Sequence, residues 1–147
     1  MKKVAVGIVL RNGLVLACQR QAGSHFPLKW EFPGGKVEDG ETFEDALVRE
    51  LEEELSIKAE IEREFFHQEW TYRDGNRENT FDVRYFLVRT FSGTPVNNAF
   101  EHIRWVSPAA LKSMDNLEGN RPAIEHLIRF TTASERGKNH DSSEQAA

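Results

Sequence analysis

Five glutamates crowd one short stretch. Glu44 lies just upstream of LVRELEEELSI (residues 47–57), which carries Glu50, Glu52, Glu53 and Glu54. On a helix, like charges three or four residues apart repel. With Phe43 set at zero and each residue advanced by about 100°, Ala46, Leu47 and Leu51 form one apolar stripe. Glu50 and Glu54 fall inside that stripe, Glu53 at its flank, and Glu44 and Glu52 further round, where solvent receives them. Carboxylates aimed at a packing surface are costly unless paired with arginine, protonated, or bound to a cation. Arg49 can pair with Glu53 or Glu41, but one guanidinium cannot neutralise the cluster. Hard oxygen donors with no His or Cys nearby favour Mg²⁺ or Mn²⁺. Pro33-Gly34-Gly35-Lys36 stands just ahead, offering backbone for close approach and a cation in Lys36. A glycine pair alone is an ordinary turn; beside these glutamates it points to diphosphate–metal chemistry.

Strands and loops must position this helix. Val4–Leu10 and Leu14–Arg20 read as strands joined at Asn12-Gly13, a tight hairpin signal. A loop rich in glycine and proline follows. Thr42 caps the acidic helix, with Asp45 at its third position, and the helix runs to about Leu55. Ala59–Trp70 and Thr80–Thr90 read as strands around RDGN, Ile103–Val106 as a short strand, and Pro108–Lys112 as a short helix. Asn120–Phe130 reads as the last helix, with Pro122 in its first turn. Residues 131–147 show no apolar periodicity and read as a disordered polar tail, leaving one domain over 1–130. Mixed strands and helices with hairpin connections give an α+β class.

Charge narrows the possible partners. Net charge is −5, and residues 38 to 64 hold half of the 24 Asp and Glu, so the acidity is a local focus. No Lys/Arg run marks a duplex-binding surface. Cys18 is the single cysteine, which excludes a disulfide framework and reads as a small core residue. MKKVAVGIVLRNG has the lysines and apolar run of a signal peptide, but Arg11 interrupts it and no cleavage site follows. We read it as a first strand and expect a cytoplasmic protein without membrane spans. Trp30, Trp70 and Trp105 could stack on a base, though burial is the commoner fate of tryptophan, and His67 and His102 lack metal spacing.

From Gly35 the chain reads GKVEDGETFEDALVRELEEELSI, which resembles the Nudix box G-x5-E-x7-R-E-U-x-E-E-x-G-U, U being bulky aliphatic. Gly35, Glu41, Arg49, Glu50, Leu51, Glu53, Glu54 and Ile57 fall on its defined positions. Ser56 departs from it, standing where the family has glycine at the helix C-cap, a site that favours a left-handed residue. KWEFPGGKVEDGET, IRWVSP and NRPAI extend the likeness over residues 3 to 130, toward MutT-like 8-oxo-dGTP diphosphatases and the related CTP pyrophosphohydrolases. The resemblance implies a Nudix α/β/α sandwich around a mixed β-sheet. It implies divalent metal held by Glu50, Glu53, Glu54 and the Gly35 carbonyl, with Arg49 supporting the glutamates. Glu50 and Glu101 are both candidates for the general base, and Glu101 for a further metal ligand.

The implied reaction splits a nucleoside triphosphate into monophosphate and pyrophosphate. By the same likeness Arg20, Phe32 and Asn120 contact the nucleotide. Asn120 also reads as an N-cap, and the two roles are compatible if one face of its amide is used. HQEWTYRDG lacks the proline of ADP-ribose-directed relatives, and Glu31-Phe32-Pro33 lacks the glutamine of decapping relatives. An oxidised-dNTP or CTP/dCTP pyrophosphohydrolase, monomeric or homodimeric, is therefore the expectation. A silent nucleotide sensor of the same fold is the different-class alternative, disfavoured because every box carboxylate is intact.

Overall fold

Strand periodicity sends alternate residues of the first strand into two cores. Ala5 and Val9 pack toward one side, and Val6, Ile8 and Leu10 toward the other. The computed structural model describes the backbone of residues 1–146 and the side-chain surroundings through Ala133. Its elements are β1 (Lys2–Arg11), β2 (Leu14–Gln19), β3 (Trp30–Glu31), β4 (Gly34–Lys36), α1 (Phe43–Leu55), β5 (Lys58–Glu60), β6 (Arg63–Asp74), β7 (Arg77–Val88), β8 (Thr90–Ser92), β9 (His102–Val106), α2 (Pro108–Lys112), a 3-10 turn (Glu118–Asn120) and α3 (Arg121–Ala146). The main sheet runs β3-β2-β1-β7-β6, with β4 also paired to β1 and β9 to β2. Only β1 and β7 pair in parallel among these, so the sheet is mixed. One core meets α1; the other includes Leu111 of α2 and Ala123, Ile124 and Leu127 of α3. This is the expected α+β, α/β/α arrangement. No described helix is long and apolar enough to cross a membrane.

α1 begins where the sequence places it: the Thr42 side chain accepts a hydrogen bond from the Asp45 N–H at 3.0 Å. Leu47, Leu51 and Leu55 are fully buried, each contributing roughly 1.5–3 kcal/mol. Repulsion between like charges one turn apart costs only roughly 0.2–0.5 kcal/mol per pair, so packing alone sustains the acidic helix. Ser56 adopts the left-handed conformation, φ 57°, at the C-cap. The four terminal carbonyls of α1 all find donors. Ser56 N–H reaches Glu52 O, Asn98 Nδ2 reaches Glu53 O, Asn98 N–H reaches Glu54 O, and Val96 N–H reaches Leu55 O. Asn98 Nδ2 also donates to Ser56 Oγ at 2.8 Å, giving the serine a partner that glycine would lack.

Several boundaries differ from the sequence reading. The expected Ala59–Trp70 strand is two, because the chain breaks into the β5–β8 pair before entering β6. The β6–β7 hairpin is longer than expected and turns at Gly75, φ 62°. Two short strands, β3 and β4, occupy the region read as loop. α3 starts at Arg121, not Asn120, and its backbone continues as helix through the polar segment to Ala146. That segment lacks proline, so every residue in it keeps the N–H that a helix needs. The side chains beyond Ala133 lie outside the described residues.

Candidate active site

β4 and α1 lie face to face and set the acidic cluster. Gly34 has φ 150°, and a Cβ there would stand 2.2 Å from Ala5 O. A Cβ on Gly35 would stand 2.5 Å from the Glu50 carboxyl carbon. Gly34 demands glycine because backbone fills the space and its φ is positive, whereas a side chain at Gly35 would push the Glu50 carboxylate out of place. The Gly34 N–H donates to Glu54 Oε1 at 3.1 Å. Arg49 clamps Glu41 through two bonds of 2.9 Å, donates to Glu50 Oε1 at 2.8 Å and to Lys36 O at 3.1 Å, and reaches Glu53 at 3.6 Å. It therefore ties the loop to the helix and leaves Glu54 without a cationic partner among the described residues.

The electrostatics follow from that geometry. Burial, then the Glu50 charge, pushes the Glu54 carboxyl up to about 8, against the opposing Gly34 N–H. Burial also raises Glu50, with Arg49 opposing. Hydrogen bonding to Arg49 holds Glu41 down at about 2. Glu44 and Glu52 are exposed, as the helical wheel requires.

One acidic residue escaped the sequence reading. Glu31 alternates with the buried Trp30 and Phe32, so on β3 it alone faces the α1 side, paired in register with the fully buried Cys18. Burial raises its pKa, opposed by Arg20, whose Nη1 lies 3.1 Å from Glu31 Oε1. The charge of Glu31 acts on Cys18 and Glu54 and also on Tyr72 and Tyr85, so it stands between the box and the nucleotide-contact candidates. A lone Glu between two aromatics just before the glycine pair is the signal that marks it.

The remaining candidates divide into those the fold gathers and those it does not. Phe32 meets Tyr85 edge-on, ring centroids 6.1 Å apart, and Tyr85 donates to Asn120 Oδ1 at 2.8 Å. Asn120 is thus buried in the 3-10 turn with its side-chain oxygen spent on Tyr85, and it does not cap α3. An open hollow of about 540 Å³ borders that turn, lined by Phe26, Lys29, Trp70, Tyr72, Glu118 and Arg121. Trp70 and Trp105 are only half-buried, whereas Trp30 is in the core. Lys36 instead borders a separate hollow of about 390 Å³ with Lys2 and Lys3. Glu101 follows the segment that closes α1, and its N–H is bonded to Gln19 O beside Arg20. Its exposed carboxylate has no partner among the described residues.

Among the described residues no three His, Cys, Asp or Glu side chains already stand as a metal-holding group. Arg49 takes one Glu50 oxygen, and the Glu53 side chain is 60% exposed. The donors still fit a hard divalent cation: two half-buried carboxylates one helical turn apart, a third beside them, and a glycine cradle that any Cβ would fill. Carboxylates gathered under a glycine turn within an α/β/α sandwich are suited to hold a cation against a phosphoric anhydride. The chain matches the NUDIX domain over residues 1–127 and belongs to that family.

Two relatives from Escherichia coli K12 span almost their whole lengths. A CTP pyrophosphohydrolase is 49% identical over 133 residues, covering 90% of this chain and 96% of its own. An 8-oxo-dGTP diphosphatase is 36% identical over 133 residues, covering 88% and 100%. The solution structure of the E. coli ORF135 protein superposes with a TM-score of 0.78 at 31% identity, covering 90% of this chain and 92% of that one. The chain is accordingly a Nudix hydrolase.

Proposed function

We propose that the protein hydrolyses nucleoside triphosphates to the monophosphate and pyrophosphate with Mg²⁺, or Mn²⁺, as cofactor. Its substrate on this reading is an oxidised dNTP, and its role is nucleotide-pool sanitation in the cytoplasm. The observation that carries the reading is the Glu54 carboxylate, half-buried beside Glu50 and held by the Gly34 N–H, with no arginine partner among the described residues. Such a group holds its proton until a cation displaces it, and a metal-bound triphosphate brings one.

Glu50, Glu53, Glu54 and the Gly35 carbonyl would hold the ion, with Glu101 as a further ligand. The ion supplies Lewis acidity to the phosphate oxygens and acidifies a water. Arg49 keeps Glu50 and Glu41 in place, which orients the carboxylates before substrate arrives. Glu50 keeps an oxygen free of Arg49 and has a raised pKa, both useful in a base; Glu101 is the second candidate. Arg20, Phe32 and Asn120 contact the nucleoside on this reading, and a hollow lined by Phe26, Lys29, Trp70, Tyr72, Glu118 and Arg121 opens at the adjoining turn. Lys36 draws the polyphosphate electrostatically.

A second reading, CTP or dCTP as substrate, is supported by the 49% identity to a CTP pyrophosphohydrolase. The test is Mg²⁺-dependent pyrophosphate release from 8-oxo-dGTP, dGTP, CTP, dCTP and ADP-ribose. Turnover should be highest with one of the triphosphates and vanish with EDTA. Binding without turnover of any of them would overturn the enzymatic reading in favour of a nucleotide sensor.

A further inference from the structure

The last turn of α1 is the part of that helix its sequence supports least. Glu52, Glu53 and Glu54 stand at the end where the helix dipole favours cations, and no basic residue lies in that turn. Terminal carbonyls without donors let a helix end fray. Glu53 and Glu54 are proposed metal ligands, so fraying there would move the ligands themselves.

The missing donors come from a distant segment. Asn98 N–H donates to Glu54 O at 3.0 Å. Its side-chain Nδ2 donates to Glu53 O at 3.2 Å and to Ser56 Oγ at 2.8 Å. One residue therefore holds the carbonyls of both glutamates and the serine that ends the helix. The loop presenting Asn98 is itself fixed. Asn97 Oδ1 accepts from the Phe100 N–H at 2.8 Å, Asn97 Nδ2 donates to Phe100 O at 2.9 Å, and the Phe100 ring is buried in the core beneath α1. From the other side the Gly34 N–H holds the Glu54 carboxylate at 3.1 Å.

We infer that Asn98 is a positioning residue: it clamps the last turn of α1 so that Glu53 and Glu54 meet the metal ion already in place, and Ser56 Oγ, standing where the Nudix box has glycine, orients its amide. This rests on the proposed metal role of the two glutamates. Ligands ordered beforehand spare the ion the entropic cost of ordering them.

The test is binding of Mn²⁺ alone, followed by electron paramagnetic resonance, together with amide hydrogen exchange of the metal-free protein. Asn98→Ala should raise the Mn²⁺ dissociation constant by about tenfold, and the Mg²⁺ concentration for half-maximal turnover with it. In the metal-free protein the Ser56 and Val96 N–H groups, which bond Glu52 O and Leu55 O, should exchange faster in this variant relative to the amides of β1. Ser107→Ala removes the N-cap of α2, on the opposite side of the sheet, and is a control of similar global cost. It should leave the Mn²⁺ constant and the relative exchange at Ser56 and Val96 unchanged. Ser56→Gly keeps the donor to Glu53 O but frees the Asn98 amide, so it should weaken Mn²⁺ binding by about twofold without lowering global stability.

The inference alone fails if Glu53→Gln and Glu54→Gln sharply weaken Mn²⁺ binding while Asn98→Ala moves it no more than Ser107→Ala does. If Glu53→Gln and Glu54→Gln bind Mn²⁺ as wild type does, the metal role of the glutamates fails and the inference falls with it. Unchanged Mn²⁺ affinity in Ser56→Gly overturns the part assigned to the serine.

Discussion

Replacing Glu54 by glutamine should stabilise the metal-free protein while disabling it. The amide oxygen can still accept from the Gly34 N–H, so the change removes charge and little else. In the folded protein the Glu54 carboxyl is raised from 4.5 to about 8. A raised carboxyl contributes stability that is fully present below its unfolded value and is lost as pH rises through its folded value. Wild type should therefore lose stability between about pH 4.5 and 8 relative to Glu54→Gln. At about 1.36 kcal/mol per unit, the difference reaches about 3 kcal/mol at pH 7 and approaches about 5 kcal/mol above pH 8. Relaxation and water entry lower these figures, so about 2 kcal/mol at pH 8 is the smallest effect consistent with the geometry.

The assay is urea unfolding in EDTA at pH 5, 7 and 9. With a slope of roughly 1–3 kcal/mol per molar urea, the variant's midpoint should exceed wild type by about 1 M or more at pH 9 and match it near pH 5. Excess Mg²⁺ should then raise the wild-type midpoint more at pH 9 than at pH 5, because the proton competes far less for the carboxylate there. It should leave Glu54→Gln nearly unmoved, and the variant's turnover should fall more than tenfold. Superimposed metal-free curves from pH 5 to 9 would refute the claim that Glu54 is a charge without a partner.

Glu53→Gln should also lower turnover more than tenfold, but its side chain is largely exposed, so its urea midpoint should stay within about 0.5 kcal/mol of wild type. Arg49→Met leaves Glu41 and Glu50 unpaired and cuts the bond to Lys36 O; thermal unfolding should show a loss of about 1–3 kcal/mol, with a lower kcat. Asn98→Ala removes the side-chain donor to Glu53 O and Ser56 Oγ and should cost about 1 kcal/mol by the same measurement. Ser56→Gly relieves a left-handed serine but deletes that Oγ; because Asn98 still reaches Glu53 O, the net should be a stabilisation of less than about 1 kcal/mol.

The sequence alone determined what depends on near neighbours. Thr42 and Asp45 sit three apart, so the start of α1 was readable, and the angular spacing of Glu50 and Glu54 against Leu47 and Leu51 placed two carboxylates on the packed face. Box spacing from Gly35 to Ile57 gave the family, and Ser56 was legible as a left-handed cap. Tertiary structure decided what depends on distant partners. Glu31 looks like any strand glutamate until pairing in register with Cys18 brings it under the charge of Glu54. Arg49 had two candidate partners in the sequence, and the fold of the β4 loop chose Glu41 and Glu50 over a close pairing with Glu53. Asn120 could be read as a cap or a base contact; Tyr85, 35 residues away, donates to its side-chain oxygen. Local propensity acts within a turn or two of helix, whereas hydrogen-bond polarity is set by whichever groups the folded chain brings within about 3 Å.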